Sequence, residues 1–338
     1  MSRKARPRSA RKGGLVLLAL GALAALIAVA AVWSYAGPGP AAKSGETTVV
    51  VLERGSGLTR IAGALEDAGA IGSAGLFVLA ARLTGAAGEL KAGEYEFPSR
   101  APMARVLADI RAGKVVRHFI TIPEGWTSEM AAEAVNRQPV LTGTAPVAPE
   151  GALLPDTYQV QRGDDRAEVI ARMRQAHDDL MAELWPKRQP GLPFDTPEEA
   201  VVLASIVEKE TGIASERPRV AAVFVNRLRQ GMRLESDPTI IYGVSKGRAL
   251  GRGIRASELA AQTPWNTYRI DGLPPTPIAN PGRASLEAVL NPPRTDELFF
   301  VADGTGGHVF ATTYADHQRN VARWRQVERE RAAAAAAP

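Results

Sequence analysis

Residues 199–212, Glu199-Ala-Val-Val-Leu-Ala-Ser-Ile-Val-Glu-Lys-Glu-Thr-Gly212, read as a helix that carries an acid into its own apolar face. Thr196 is placed to cap the first turn and Pro197 suits the first helical position. Glu199 follows the cap by three residues, the spacing of a capping box. Leu203, Ile206 and Val207 fall at helical spacing, and the next member of that stripe is Glu210. Gly212 follows as the expected stop. A carboxyl on a buried stripe, at the negative end of a helix dipole, is pushed toward its protonated form, the state a general acid needs. Glu208 lies about 200° away around the helix, at about 100° per residue, beside Ala204 and Val201. Only one of the two acids shares the Leu203 face. Glu208-Lys209-Glu210 also reads as a solvated charge run, and the pattern alone leaves both readings open.

Outward from this helix, short strands and helices alternate, which points to an α+β chain. On the N-terminal side the pattern predicts a strand over 48–52, a turn at Gly55-Ser-Gly57, helices over 58–68 and 73–83, a strand over 91–97 and a helix over 103–112. Phe119-Ile-Thr-Ile-Pro-Glu-Gly125, with a helix from Thr127, repeats the strand-glycine-helix unit after about 70 residues. Residues 138–149 read as loop and 154–160 as a turn into a strand, with a long helix over 167–184. On the C-terminal side a helix is expected over 215–230. Asp237-Pro238 then looks like an N-cap followed by proline at the first helical position. Residues 263–283 hold too many prolines for a helix or a central strand, and a long ordered loop is usually functional. A hairpin over 298–312 and a helix to about Arg331 complete the chain.

At 338 residues the chain is long enough for two modest domains. Its first dozen residues carry Arg3, Lys4, Arg6, Arg8, Arg11 and Lys12 and no acid. The remaining 35 basic residues face 36 acidic ones. The basic character therefore belongs to the tail, which argues against a nucleic-acid-binding body. An uncharged apolar stretch over 14–35 follows, long enough to cross a bilayer, with Trp33 and Tyr35 where an interfacial belt is expected. The preceding cations place the N-terminus in the cytoplasm. A cleaved signal peptide is the rival, with Ala28-Val29-Ala30 as its processing site. The expected reading is an uncleaved anchor with a linker over 36–46. There is no cysteine, which excludes disulfides and thiolate chemistry, and the four histidines show no metal-ligand spacing. Neither a metal nor another cofactor is expected.

Ala204-Ser-Ile-Val-Glu-Lys-Glu-Thr211 resembles the signature of the YceG-like endolytic murein transglycosylases. So do Asn226-Arg-Leu228, Gly231-Met-Arg-Leu234, Asp237-Pro-Thr239, Asn266-Thr-Tyr268, Gly272-Leu-Pro-Pro275, Ala279-Asn-Pro-Gly282 and Phe300-Val-Ala-Asp-Gly304, in the family's order. The resemblance covers roughly residues 47–325. Glu235-Ser236 stands where relatives carry Gln-Thr, and the loop over 138–149 is short. The resemblance implies a single-pass inner-membrane enzyme, its catalytic part periplasmic, that cuts peptidoglycan glycan strands internally. The implied division is a basic cytoplasmic tail (1–13), a transmembrane helix (14–35), a linker (36–46), a LysM-like module (47–118), a connecting strand-helix and loop (119–149), an α+β YceG-type catalytic domain (150–326) and a frayed Ala-rich tail (327–338).

Carried onto this chain, the family's essential glutamate is Glu210, and Thr211 fills the Ser/Thr place that other lytic transglycosylase families keep after their acid. The implied reaction needs one carboxyl that first donates and then accepts a proton, closing a 1,6-anhydro ring on N-acetylmuramic acid. A hydrolase would need two carboxylates. Candidates to orient Glu210 and the sugar are Asp237, Thr239, Tyr242, Asn266 and Tyr268, set against an N-cap role for Asp237 and loop anchoring for Asn266 and Tyr268. Trp265 and Trp126 suit sugar stacking or core packing, and His308 a structural or rim place. Arg227 and Arg233 suit carboxylates of the strand, a surface charge or an internal ion pair. Peptidoglycan strands and penicillin-binding synthases are the implied partners. The rival functions are a non-enzymatic peptidoglycan scaffold and a two-carboxylate hydrolase using Glu208 or Asp237.

Overall fold

The computed structural model describes residues 9–335, so the start of the basic tail and the last three residues lie outside the described part. Helix α1 (Ser9–Ala36) contains a 20-residue apolar window, Leu17–Ala36, with mean hydropathy 2.4 and its side chains outward. At 1.5 Å per residue it spans about 30 Å, the thickness of a bilayer core. It fits a single-pass membrane anchor.

The described residues pack into two compact units, one ending at His118 and including 161–163, the other formed by 119–160 with 164 onward. The first contains β1 (Thr47–Leu52), α2 (Leu58–Ala68), α3 (Ala74–Leu83), β2 (Gly93–Pro98) and α4 (Met103–Ala112). β1 and β2 pair antiparallel with Val50 opposite Tyr95. Thr48, Val50 and Leu52 point inward while Val49 and Val51 face out, the period-two pattern of a strand with one covered face. α2 ends where Gly69 takes φ 81°, a left-handed cap that favours glycine. Leu65, Phe77, Tyr95, Phe97, Val106 and Ile110 fill the core.

The second unit begins at Phe119 within β3 (His118–Thr121) and continues with α5 (Ser128–Asn136) and β4 (Thr157–Val160). β3 pairs with β4, so the segment expected as a connector, 119–149, contributes elements to this unit. Then come α6 (Arg166–Leu184), α7 (Pro197–Glu210), α8 (Arg217–Arg229), α9 (Asp237–Ser245), the short α10 (Ala256–Ala260) and α11 (Arg283–Leu290). The hairpin of β5 (Phe299–Ala302) and β6 (His308–Ala311) is antiparallel. The last helix, α12 (Tyr314–Ala335), extends into the alanine-rich end as far as Ala335, in keeping with the high helix propensity of alanine, and the rest of the tail expected to fray lies outside the described residues.

α7 is the centre of this unit. It packs against both α8 and α11, and every residue from Ala200 to Val207 is buried. The single stripe expected from the periodicity is therefore a helix covered all round. Its polar member, Ser205, donates to the Val202 carbonyl (2.7 Å) and accepts from the Ile278 N–H (3.0 Å), which pins the proline-rich loop to the helix. Asn280 fixes the same loop by accepting from the Leu153 N–H (3.0 Å) and donating to the Trp126 carbonyl (2.9 Å).

Candidate active site

The position of Glu210 is set by both ends of α7. Thr196 and Glu199 form the reciprocal capping box, with the Glu199 N–H on Thr196 Oγ1 (3.2 Å) and the Thr196 N–H on Glu199 Oε2 (3.0 Å). The helix stops because Thr211 turns extended (φ −139°, ψ 131°). Gly212 is not in the left-handed region, which corrects the expected glycine stop. Thr211 Oγ1 accepts from the Ile213 N–H at 3.0 Å and so stiffens the exit turn.

Glu210 is half-buried at the head of α9. Ser236 Oγ donates a short hydrogen bond to Glu210 Oε1, and Ser236 is the one hydrogen-bond partner of this carboxyl among the described residues. The other oxygen, Oε2, has no hydrogen-bond partner among the described residues. Burial pushes the Glu210 pKa up to about 7. The Ser236 hydrogen bond opposes that rise, the negative charge of Asp237 adds to it, and the charges of His308 and Arg227 oppose it. The group is thus poised to hold and release a proton near neutrality.

Ser236, not Asp237, is the N-cap residue of α9, and Asp237 occupies the first helical position. The Asp237 carboxylate accepts from the Tyr268 hydroxyl at 2.9 Å, and burial, then Asp237, raises the Tyr268 pKa. Thr239 is fully buried behind them, donating to the Ser236 carbonyl (2.6 Å) and touching Thr267 Oγ1 (2.9 Å). Asn266 is an anchor: its amide donates to the Ala261 carbonyl (2.7 Å), and its oxygen accepts from the Tyr268 N–H (3.0 Å). Tyr242 is engaged elsewhere. Its hydroxyl donates to Glu150 Oε2 (3.2 Å) and its ring meets Trp265 edge-on at 5.6 Å. Of the five polar candidates, Asp237 and Tyr268 stand beside the acid, Thr239 and Asn266 hold the frame, and Tyr242 belongs to another contact.

Glu208, two residues before the acid, has a side chain only 5% exposed and both oxygens engaged. Oε1 lies 3.5 Å from Arg217 Nη2, and Oε2 accepts from the Gly282 N–H at 2.9 Å. Burial, then the nearby Glu208, raises the pKa of Glu124, which shares Arg217 at 3.9 Å. His308 is held by Glu216 through its backbone N–H (2.9 Å) and Nδ1 (2.7 Å). Arg227 is internal, bonded to the carbonyls of Leu298 and Leu234, and Arg233 pairs with Asp271 at 2.8 Å. The Trp265 ring carries the Lys246 ammonium 3.8 Å from its centre, and Trp126 packs against the core that includes Ile120 and Leu153. Among the described residues no three His, Asp or Glu side chains stand together as a metal site. Ser236, the hydrogen-bond partner of Glu210, is not among the residues expected from the sequence; its signal is a hydroxyl preceding Asp-Pro, within one of the two places where the chain departs from the family pattern.

A family-level sequence model described as the YceG-like family matches residues 50–323. A Streptococcus pneumoniae protein (serotype 2, strain D39) named endolytic murein transglycosylase is 29% identical over 331 residues, covering 83% of this chain and 59% of its own length. A Bacillus subtilis protein of the same name is 34% identical over 172 residues, covering 50% of this chain and 46% of its own length. This chain therefore spans about half to three fifths of these curated relatives. A crystal structure of a YceG-like protein from Listeria monocytogenes superposes with a TM-score of 0.52 at 27% identity, covering 82% of this chain and 99% of that one. The match over residues 50–323 runs through α7, α9 and the loop that frames Glu210, and the chain belongs to the YceG-like family.

Proposed function

We propose that this chain is an endolytic peptidoglycan lytic transglycosylase with Glu210 as its acid and base. Its relatives are named for that activity, and the observation that carries the reading is the Glu210 carboxyl. One oxygen is held by Ser236, the other has no hydrogen-bond partner among the described residues, and burial lifts its pKa to about 7. Protonated Glu210 gives its proton to the glycosidic oxygen between N-acetylmuramic acid and N-acetylglucosamine. The C1–O bond breaks and its electron pair leaves with that oxygen, while the substrate's N-acetyl group steadies the charge at C1. The C6 hydroxyl oxygen then bonds to C1, and its proton passes to the Glu210 carboxylate, which restores the acid and closes the 1,6-anhydro ring. Intramolecular attack substitutes proximity for a bound water. Asp237 raises the affinity of Glu210 for its proton, and the Tyr268 hydroxyl fixes Asp237 in that place.

The wider assignment belongs to the same proposal. The βααβ order of residues 47–98 suits a LysM-like glycan-binding module, and the basic start of the chain suits a cytoplasmic N-terminus with the Glu210 unit in the periplasm. Cutting nascent strands beside penicillin-binding synthases is the physiological role consistent with this placement. Mass spectrometry of products from purified glycan strands tests the chemistry. Anhydro ends, one water lighter than reducing ends, are expected, and their loss in Glu210→Gln. Reducing ends from the parent protein would establish a two-carboxylate hydrolase instead. Strand binding without any cleavage by the parent would leave a scaffold.

A further inference from the structure

We infer that Ser236 is the positioning residue of this site: its hydroxyl fixes Glu210 Oε1 so that Oε2 is the oxygen that gives and retakes the proton. The inference rests on the proposed role of Glu210 and concerns how that one carboxyl is aimed.

A serine at a helix N-cap ordinarily spends its hydroxyl on a first-turn N–H, a contact worth about 1 kcal/mol. Ser236 makes no such cap, and its hydroxyl goes to Glu210, which is 26 residues away in the chain. The side chain that does this is 1% exposed, so water does not compete for it. Its backbone is pinned from two sides. The Ser236 N–H donates to Thr267 Oγ1 (2.9 Å), and the Ser236 carbonyl accepts from Thr239 Oγ1 (2.6 Å). The preceding Glu235 sits at φ 51°, a left-handed conformation uncommon for a residue with a side chain. It is held there by its N–H on the Thr267 carbonyl (3.2 Å) and by Arg227 Nη1 on its Oε2 (3.2 Å). A strained residue, an unused cap and a three-hydroxyl network converge on the placement of one oxygen atom.

An O–H donor favours the carboxylate over the acid, so Ser236 also stabilises the anion formed once Glu210 has given its proton. The groups that bear on the same carboxyl are Asp237 of α9, Arg227 of α8, His308 of β6 and Tyr268 of the proline-rich loop. None of these donates a hydrogen bond to it.

The test is the pH profile of kcat/KM for anhydro-end formation on purified glycan strands, for the parent, Ser236→Ala, Ser236→Thr and Ser236→Cys. Ser236→Ala is expected to lower the plateau about 10- to 100-fold, as for loss of a hydrogen bond to a charged group. It is also expected to move the alkaline limb to higher pH by about one unit. Ser236→Thr keeps the donor and restores both limb and plateau to within a few-fold. Ser236→Cys, close in size with a weak donor, moves the limb in the direction of alanine, and it stands in for Ser236→Ala if that variant does not fold. An unmoved limb in Ser236→Ala or Ser236→Cys, whatever the plateau does, overturns the inference. Glu210→Gln separates the two levels. Activity retained in Glu210→Gln removes the proposed function itself, whereas an inactive Glu210→Gln with an unmoved Ser236→Ala limb removes only the positioning role.

Discussion

Two carboxyls at the end of α7, two residues apart, live in opposite surroundings. Glu208 is enclosed and saturated, with a guanidinium on one oxygen and a backbone N–H on the other. Glu210 is half-buried and holds one neutral hydroxyl, with an anion, Asp237, close by. Burial is common to both, so burial does not decide which is suited to hand over a proton. The partner does. Both oxygens of Glu208 are taken up by donors, whereas Glu210, crowded by burial, with a single donor and a negative neighbour, has its affinity for a proton raised. Glu208 thereby ties α7 to α8 and to the 282 position of the proline-rich loop, and this clamp holds the end of the helix still beneath Glu210.

The largest effect that can break this contrast is on turnover. Glu210→Gln is expected to lower formation of anhydro ends by about 10³-fold or more, the scale of losing a group that both donates and accepts the proton. Circular dichroism should show the fold intact. Comparable activity in Glu210→Gln and the parent would erase the distinction between the two acids. Next in size, Glu208→Gln leaves Arg217 without its nearer charge partner and should cost about 3 kcal/mol of stability. That is the low end for a broken buried pair, since Glu124 stays 3.9 Å from Arg217. Denaturant unfolding reads this, and a loss below about 0.5 kcal/mol would make Glu208 a surface-like charge.

A third prediction sharpens the contrast through pH. The folded-state pKa of Glu210 lies above its ordinary value of 4.5, at about 7. Below 4.5 both folded and unfolded chains hold the proton, and the group contributes nothing. As pH rises the unfolded chain releases its proton first, so stability falls and the penalty is complete above about pH 7. Glu210→Gln should therefore match the parent in stability at pH 4 and exceed it at pH 8 by up to about 3 kcal/mol. A constant offset across that range would contradict the raised pKa. The smallest effect concerns Tyr242, whose hydroxyl serves Glu150. Tyr242→Phe should cost about 1 kcal/mol by denaturant unfolding and leave the alkaline limb of activity where it is. A moved limb would return Tyr242 to the Glu210 site.

Much of the scaffold was legible because it is local. The 48–52 alternation, the 58–68 and 103–112 helices and the Thr196 capping box are signals carried within a few residues, and each element formed within a residue or two of its expected place. α11 was not foreseen. Its eight residues lie between Asn-Pro-Gly and Asn-Pro-Pro, too short a run to declare a period, and only packing against α7 and α8 gives it a face to bury. The stripe argument reached Glu210 for an incomplete reason. α7 is covered on all sides, so periodicity does not separate Glu208 from Glu210. What separates them is Gly282, 74 residues from Glu208, and Ser236, 26 residues from Glu210. Contacts at that range leave no local trace in composition or spacing. Ser236 was further hidden by the expectation that Asp237 begins the helix, which gave the polar residue beside it nothing to do.

The central claim is that the Glu210 carboxyl exchanges its proton near neutral pH instead of in the ordinary carboxyl range, and its own titration tests this most directly. Carbon-13 NMR of the glutamate side-chain carboxyls, with the Glu210 signal assigned by its disappearance in Glu210→Gln, should show a midpoint at about pH 7. A midpoint near 4.5, the ordinary value, would contradict the account.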